Sequence, residues 1–227
     1  MKVLVIEDDR DVVDTINLAF QVGWPGVELV SAYEGKRGIE MAESETPDII
    51  VLDLGLPDIS GFEVLQQIRS FSNTPIIILS VMTEEDDIIK GLEWGADDYV
   101  TKPFRKMELL ARVKTVLRRL TPPGEESPLV CGSLRFHPST RQFFHGYKEV
   151  ILTATESNII YHLMKKMGQV VTQSSLAEAV WGDDYPGAVD SLKVYIRRLR
   201  KKLESDPSHP NLILTRPGVG YLLAPPD

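Results

Sequence analysis

The 227-residue chain has one cysteine, Cys131. A single thiol forms no internal disulfide, so folding in a reducing cytoplasm is expected. The sequence also lacks any apolar run of about 18 residues, the length that a membrane-spanning helix needs. Strand-like sequence follows Met1 at once, so no signal peptide is expected. There is no internal repeat and no low-complexity tract. Histidine is scarce: His137, His145, His162 and His209 all lie in the second half. Chemistry in the first half must therefore do without an imidazole. A formal net charge of −8 argues, as a total, against nucleic acid as a partner.

That total hides an asymmetry. Residues 1–120 carry 13 Lys and Arg against 22 Asp and Glu, whereas residues 129–227 carry 12 against 9. The first half is net −9 and the second net +3, and opposite signs point to different partners. Hydrophobic residues make up 43% of the chain, enough for packed cores. Residues 1–120 and 129–227 read as two domains, joined by a Pro-, Gly- and charge-rich linker at 121–128 (TPPGEESP).

The first half alternates short apolar runs with amphipathic stretches. Strands are expected at 2–7, 27–33, 48–54, 75–80 and 98–101, with helices near 11–21, 35–45, 61–70, 84–94 and 105–119. Strands apolar on both faces and alternating with helices mean a parallel sheet covered on each side. Five such units in this length predict a flavodoxin-like (βα)5 domain. The second half differs. Short antiparallel strands are expected over 129–136 and 142–151. Helices follow near 155–167, 173–180 and 188–204, and a hairpin at 213–223 turns around Pro217-Gly218. This order is that of a winged helix-turn-helix of α+β class.

In an open α/β sheet, function gathers beyond the carboxyl ends of the strands. Those ends carry Glu7-Asp8-Asp9, Asp53, Ser80 and Lys102. Clustered carboxylates repel one another unless a cation sits among them, and hard oxygen ligands favour Mg²⁺. A lysine ammonium and a hydroxyl suit phosphoryl oxygens. The set therefore reads as a place to put a phosphoryl group on a carboxylate, with Asp53 as nucleophile. Taken singly, each residue reads equally well as a helix cap or a solvated loop. The ordered set at four strand ends carries the reading.

In the second half, 191–203 reads SLKVYIRRLRKKL. Leu192, Ile196, Leu199 and Leu203 form one apolar stripe. Val194, Arg197, Arg198 and Lys201 fall opposite, with Lys193, Arg200 and Lys202 on the flanks. A basic face on a helix with a packing stripe suits the major groove; solvation alone is the competing reading. Val194 reads as a contact to a thymine methyl or as a stray surface valine.

The pieces VLVIEDD, VLDLGLPDISG, PIIILS and GADDYVTKPF resemble a receiver domain across residues 1–120. LTATESNIIYHLMKKMGQVVTQSSLAEAVWG, the basic helix and GVGY resemble the effector domain of the OmpR/PhoB family across 129–225. The resemblance implies a two-component response regulator that accepts a phosphoryl group on Asp53 from a histidine kinase. It implies an Mg²⁺ cluster of Asp8 with Glu7 or Asp9, joined by Asp53 and the Gly55 carbonyl. Ser80 and Lys102 would bind phosphoryl oxygens, Tyr99 would turn inward on activation, and Lys102-Pro103 would be a cis peptide. The only catalysis implied is Mg²⁺-dependent phosphorylation and dephosphorylation of the receiver itself.

The resemblance further implies that phosphorylation pairs two copies, which bind promoter DNA and meet RNA polymerase. Pairing would use the fourth helix, fifth strand and fifth helix, with Asp98–Arg112 and Asp97–Arg119 contacts across a two-fold axis. Ile88 stands where the family commonly has a cation facing Glu108, with Lys90 two residues on. Val81 replaces a common Ala, Asp190 replaces an Arg near the start of the basic helix, and Pro217 follows Arg216 where the wing commonly has Arg. Two rivals remain: a phosphorylation-independent DNA-binding regulator, and an aspartate-nucleophile phosphatase. The latter needs a carboxylate where Gly55 stands.

Overall fold

The computed structural model describes residues 1–82, 85–118, 127–182 and 187–226. The chain divides into two compact units, Met1–Leu117 and Arg118–Asp227. Linker residues 121–126 lie outside the described residues.

In the first unit, β1 (Lys2–Ile6), β2 (Glu28–Ala32), β3 (Ile49–Asp53), β4 (Ile76–Ser80) and β5 (Asp98–Thr101) form a parallel sheet. The strand order is β2-β1-β3-β4-β5, as the flavodoxin-like reading requires. Between and after the strands run α1 (Arg10–Gly23), α2 (Gly35–Ser44), α3 (Gly61–Phe71), α4 (Glu85–Glu93) and α5 (Lys106–Arg118). All five residues of β3 and of β4 are buried, because helices cover both faces. Strand alternation sends Val3, Val5, Val51, Ile77 and Leu79 to a core shared with Phe20 of α1 and Val113 of α5. The order reverses at β1, which has β2 on one side and β3 on the other. A crevice therefore opens beyond the carboxyl ends of β1 and β3.

Two local devices shape that crevice. Asp9 caps α1 by accepting the Asp11 amide at 2.9 Å, which starts the helix directly after the acidic run. Gly61 begins α3 against the backbone of Asp53 and Leu54, where a Cβ would collide. The chain can thus fold back tightly over the end of β3.

In the second unit, β6 (Leu129–Cys131), β7 (Leu134–His137), β8 (Gln142–His145) and β9 (Lys148–Ile151) form an antiparallel sheet. Each run expected as one strand is in fact a hairpin. Gly132 and Gly146 turn it, at φ 54° and 60°, a left-handed backbone that glycine adopts without strain. Next come α6 (Ala154–Lys165), β10 (Val171–Thr172), α7 (Gln173–Trp181), α8 (Ala188–Leu203), β11 (Ile213–Arg216) and β12 (Gly220–Leu223). The last sheet has the order β10-β12-β11. At two residues β10 is too short to show periodicity, and only its pairing with β12 makes it a strand. No helix among the described residues is long and apolar enough to cross a membrane.

Candidate functional site

The ends of β1, β3 and β5 bring Glu7, Asp53 and Lys102 together, and Ser80 ends β4, the strand paired with β3. Glu7 follows β1 and is 1% exposed; Asp53 ends β3 and is 6% exposed. Lys102 Nζ lies 2.8 Å from Asp53 Oδ2 and 2.6 Å from Glu7 Oε2. The Gly55 amide donates to Asp53 Oδ1 at 3.1 Å, so both carboxylate oxygens of Asp53 are held. Asp58 accepts the Gly35 and Lys36 amides at 2.7 and 3.0 Å, which ties the loop after Asp53 to the start of α2. No sequence reading singled out Asp58. Its signal, a carboxylate set against the start of a helix it does not belong to, exists only in three dimensions.

Burial lifts the Glu7 carboxyl to about 7; the Asp53 charge adds to the rise and Lys102 opposes it. Burial disfavours the Lys102 ammonium, but its bonds to Asp53 and Glu7 outweigh that and hold its pKa above the ordinary value. Oxygens of Glu7, Asp8 and Asp53 all lie within 4.8 Å of one another. Octahedral Mg²⁺ holds its oxygens at about 2.1 Å, so opposite ligands stand about 4.2 Å apart and the cluster needs little closing to fit. Asp9 corrects the expected ligand set: its carboxylate is spent on the α1 cap, and the cluster is Glu7, Asp8 and Asp53.

Ser80 is buried beside the site and accepts the Met82 amide at 3.2 Å. Tyr99 is buried too, with its hydroxyl donating to the Met82 carbonyl at 2.9 Å. Burial raises its pKa, against a hydrogen bond with Ser80. The Lys102-Pro103 peptide is cis.

The charges assigned to a pairing face are mostly consumed within the chain. Asp97 is 0% exposed, bound to Arg69 Nη2 at 2.9 Å and to the Ile76 amide at 3.1 Å. Within one chain this carboxylate is therefore already engaged, and its expected partner Arg119 lies outside the described residues. Arg112 reaches Asp98 at 3.1 Å and Glu108 at 3.0 Å, so its Asp98 contact lies within the chain. Lys90 lies over the rings of Phe62 and Trp94, and Arg112 is the cation at Glu108. Ile88 is half-buried, and Arg119 lies outside the described residues.

On α8, two of the four residues expected on the outer face are buried. Val194 is 8% and Arg198 5% exposed. Arg198 pairs with the fully buried Glu156 of α6 at 3.0 Å, and Lys202 reaches the same carboxylate at 2.7 Å. Val194, Arg198 and Lys202 share one row at four-residue spacing, and this second row turns inward beside the leucine stripe. The exposed row is Lys193, Arg197 and Lys201, with Arg216 exposed at the tip of the β11–β12 hairpin. Asp190 does not cap the helix, whose N-cap is Gly187; it pairs with Lys193 at 2.8 Å. Glu156 also closes a capping box with Thr153, and the Thr153-x-x-Glu156 spacing is the sequence signal that marks it.

Fold and site together define a phospho-acceptor-type α/β domain followed by a winged-helix domain. Residues 3–114 match the response regulator receiver domain family, and residues 147–223 match the C-terminal domain of transcriptional regulatory proteins. The chain is 33% identical to the response regulator DrrB of Thermotoga maritima, an OmpR/PhoB homologue, over 98% of each chain, with a TM-score of 0.52. A cysteine-to-serine mutant of RitR is 25% identical over 98% of each chain, with a TM-score of 0.77. A two-component response regulator from Clostridium difficile is 30% identical over 52% of this chain and 97% of its own, at a TM-score of 0.50. The chain belongs to the OmpR/PhoB family of response regulators, receiver-controlled DNA-binding transcription regulators.

Proposed function

We propose that a histidine kinase transfers a phosphoryl group to Asp53, and that the phosphorylated chain dimerises and binds promoter DNA. The observation that carries this is the buried Asp53 carboxylate, gripped by Lys102 and the Gly55 amide at the sheet's switch point. Glu7, Asp8, Asp53 and the Gly55 carbonyl would hold Mg²⁺, which when bound offsets the charge of the phosphoryl oxygens. Ser80 and Lys102 favour the form in which they reach the phosphoryl group, and Tyr99, packed beside Ser80, shifts with that choice. The first unit contains no histidine, so the donor is external. Two copies on DNA would meet half-sites about one helical turn apart and present a surface to RNA polymerase.

Lys193, Arg197 and Lys201 are the cations we assign to DNA, with Arg216 on the wing. Arg197→Ala is expected to cost about 1–3 kcal/mol if it reads a base. Binding should weaken steeply with salt as counterions are released. The test is fluorescence anisotropy on a duplex selected from a random pool by the wild-type chain, with and without a phosphodonor and Mg²⁺. A flat salt response, or the same affinity in Arg197→Ala, would point away from α8. Equal affinity with and without the donor would favour a phosphorylation-independent regulator.

The dimer we propose uses the α4–β5–α5 face with Ile88, Lys90, Asp97, Asp98, Glu108 and Arg112. Exposed ion pairs are worth only about 0–1 kcal/mol each, and Ile88 adds salt-insensitive apolar area. Sedimentation of the phosphorylated chain should therefore show a dimer that weakens little between low and high salt. A strict monomer at tens of micromolar, about the scale of weak association, would refute the pairing.

A further inference from the structure

The recognition helix and the wing are joined by a clamp that no sequence motif announces. β11 is the edge strand of the β10-β12-β11 sheet. The Ala224 amide bonds to the Leu212 carbonyl. By antiparallel alternation, the Ile213 N–H and C=O therefore face away from β12, toward the open edge. Ile213 is fully buried, and a buried peptide group without a partner is costly. Both groups are met by α8 and its C-cap. Arg200 donates to the Ile213 carbonyl from Nε at 3.0 Å and from Nη2 at 2.7 Å, and Nη2 also reaches Thr215 Oγ1 at 2.7 Å. Glu204, one turn later, accepts the Ile213 amide at 2.8 Å and the Leu212 and Asn211 amides at 3.0 and 3.1 Å.

We propose that Arg200 and Glu204 are positioning residues that lock the wing strand onto the recognition helix, so that α8 and Arg216 engage DNA as one body. Arg200 then acts through Ile213 and Thr215 and is not itself a reader of bases or phosphates. Thr215 directly precedes Arg216, so freedom at the clamp passes straight to the wing tip. The proposal rests on the DNA-binding reading of α8 and the wing.

The sign of one substitution separates a clamp from a charge effect. Glu204→Gln removes a negative charge, which by electrostatics alone should tighten DNA binding. A glutamine, however, turns an NH₂ toward amides that need an acceptor. With the full chain and the selected duplex, Glu204→Gln should weaken binding about tenfold, the worth of a charged hydrogen bond. Arg200→Lys keeps the charge but loses the planar fork, and should fall with Glu204→Gln. Thr215→Val leaves the fold least disturbed, since Thr215 is exposed and keeps its β-branching, and should lose a few-fold. Arg216→Ala should cost less in the Glu204→Gln background than in wild type, by at least about threefold, as for coupled neighbours.

Tighter binding by Glu204→Gln, wild-type binding by Thr215→Val, or an Arg216→Ala loss that multiplies unchanged would each overturn the clamp while DNA binding by α8 stands. Wild-type affinity in Arg216→Ala would instead overturn the wing contact, and the clamp would fall with it.

Discussion

Incubated with a small phosphodonor and Mg²⁺, the full chain is expected to gain one phosphoryl group, and Asp53→Asn none. Asp53 ends β3 at the switch point, and its two oxygens are held by the Gly55 amide and the Lys102 ammonium. In the transfer, a carboxylate oxygen bonds to phosphorus as the bond to the donor's leaving group breaks. Lys102 already stands 2.8 Å from the attacking carboxylate, where it can balance the incoming phosphoryl charge. Glu7 is a poor substitute nucleophile. Its carboxylate is bound to Lys102 at 2.6 Å and would be a ligand to Mg²⁺ in the same experiment. Asp8 is exposed and lacks the paired donors. An amide at position 53 keeps the shape and loses the charge. Intact-mass measurement reads the outcome directly, and labelling of Asp53→Asn at the wild-type level would sink the assignment.

The second large effect lies in the DNA-binding domain. Glu156→Gln is expected to destabilise α6 and α8 by about 3 kcal/mol at neutral pH. Burial pushes the Glu156 carboxyl up, but the Arg198 and Lys202 charges, the Lys202 bond and the Thr153 amide outweigh it and bring the pKa down to about 2. A pKa lower in the folded than in the unfolded state means stability that is fully present above the ordinary value of 4.5. It is lost as pH falls toward about 2. Removing the carboxylate also takes a buried ion-pair partner from Arg198. Hydrogen-exchange protection of α8 amides, compared between variant and wild type, should show a gap that is wide at pH 7 and narrows below about pH 4.5. A gap that stays constant with pH, or no gap, would contradict the buried triad as a source of stability.

The corrections on α8 have the same origin. A helical wheel drawn on leucines places Arg198 opposite the core, since its charge counts as a surface mark. In the fold, Glu156 offers a buried carboxylate, and Arg198 follows it inward, stacking over Tyr195 at 4.9 Å. Arg200 reads as a flank cation for the same reason and is instead bonded to β11. Asp97 reads as an interface charge, because the family assigns that position to pairing. Its carboxylate is bound to Arg69, a residue 28 positions away in the chain, and a separation of that length leaves no local pattern.

What the amino-acid sequence determined by itself was whatever local physics or residue order encodes. Five two-sided apolar runs imposed a covered parallel sheet. Acidic, hydroxyl and ammonium residues at successive strand ends set the receiver chemistry, since strand ends in that topology must meet. The basic stretch at 191–203 marked the helix we assign to DNA. Only the tertiary structure decided how each polar side chain is spent. It gave Asp9 to a helix cap, Asp58 to the start of α2, Asp97 to Arg69, Arg198 to Glu156, and Arg200 with Glu204 to the wing's open edge. The reason is that a charged side chain takes the nearest partner that desolvation forces upon it. That partner is fixed by packing between distant segments, which no periodicity records.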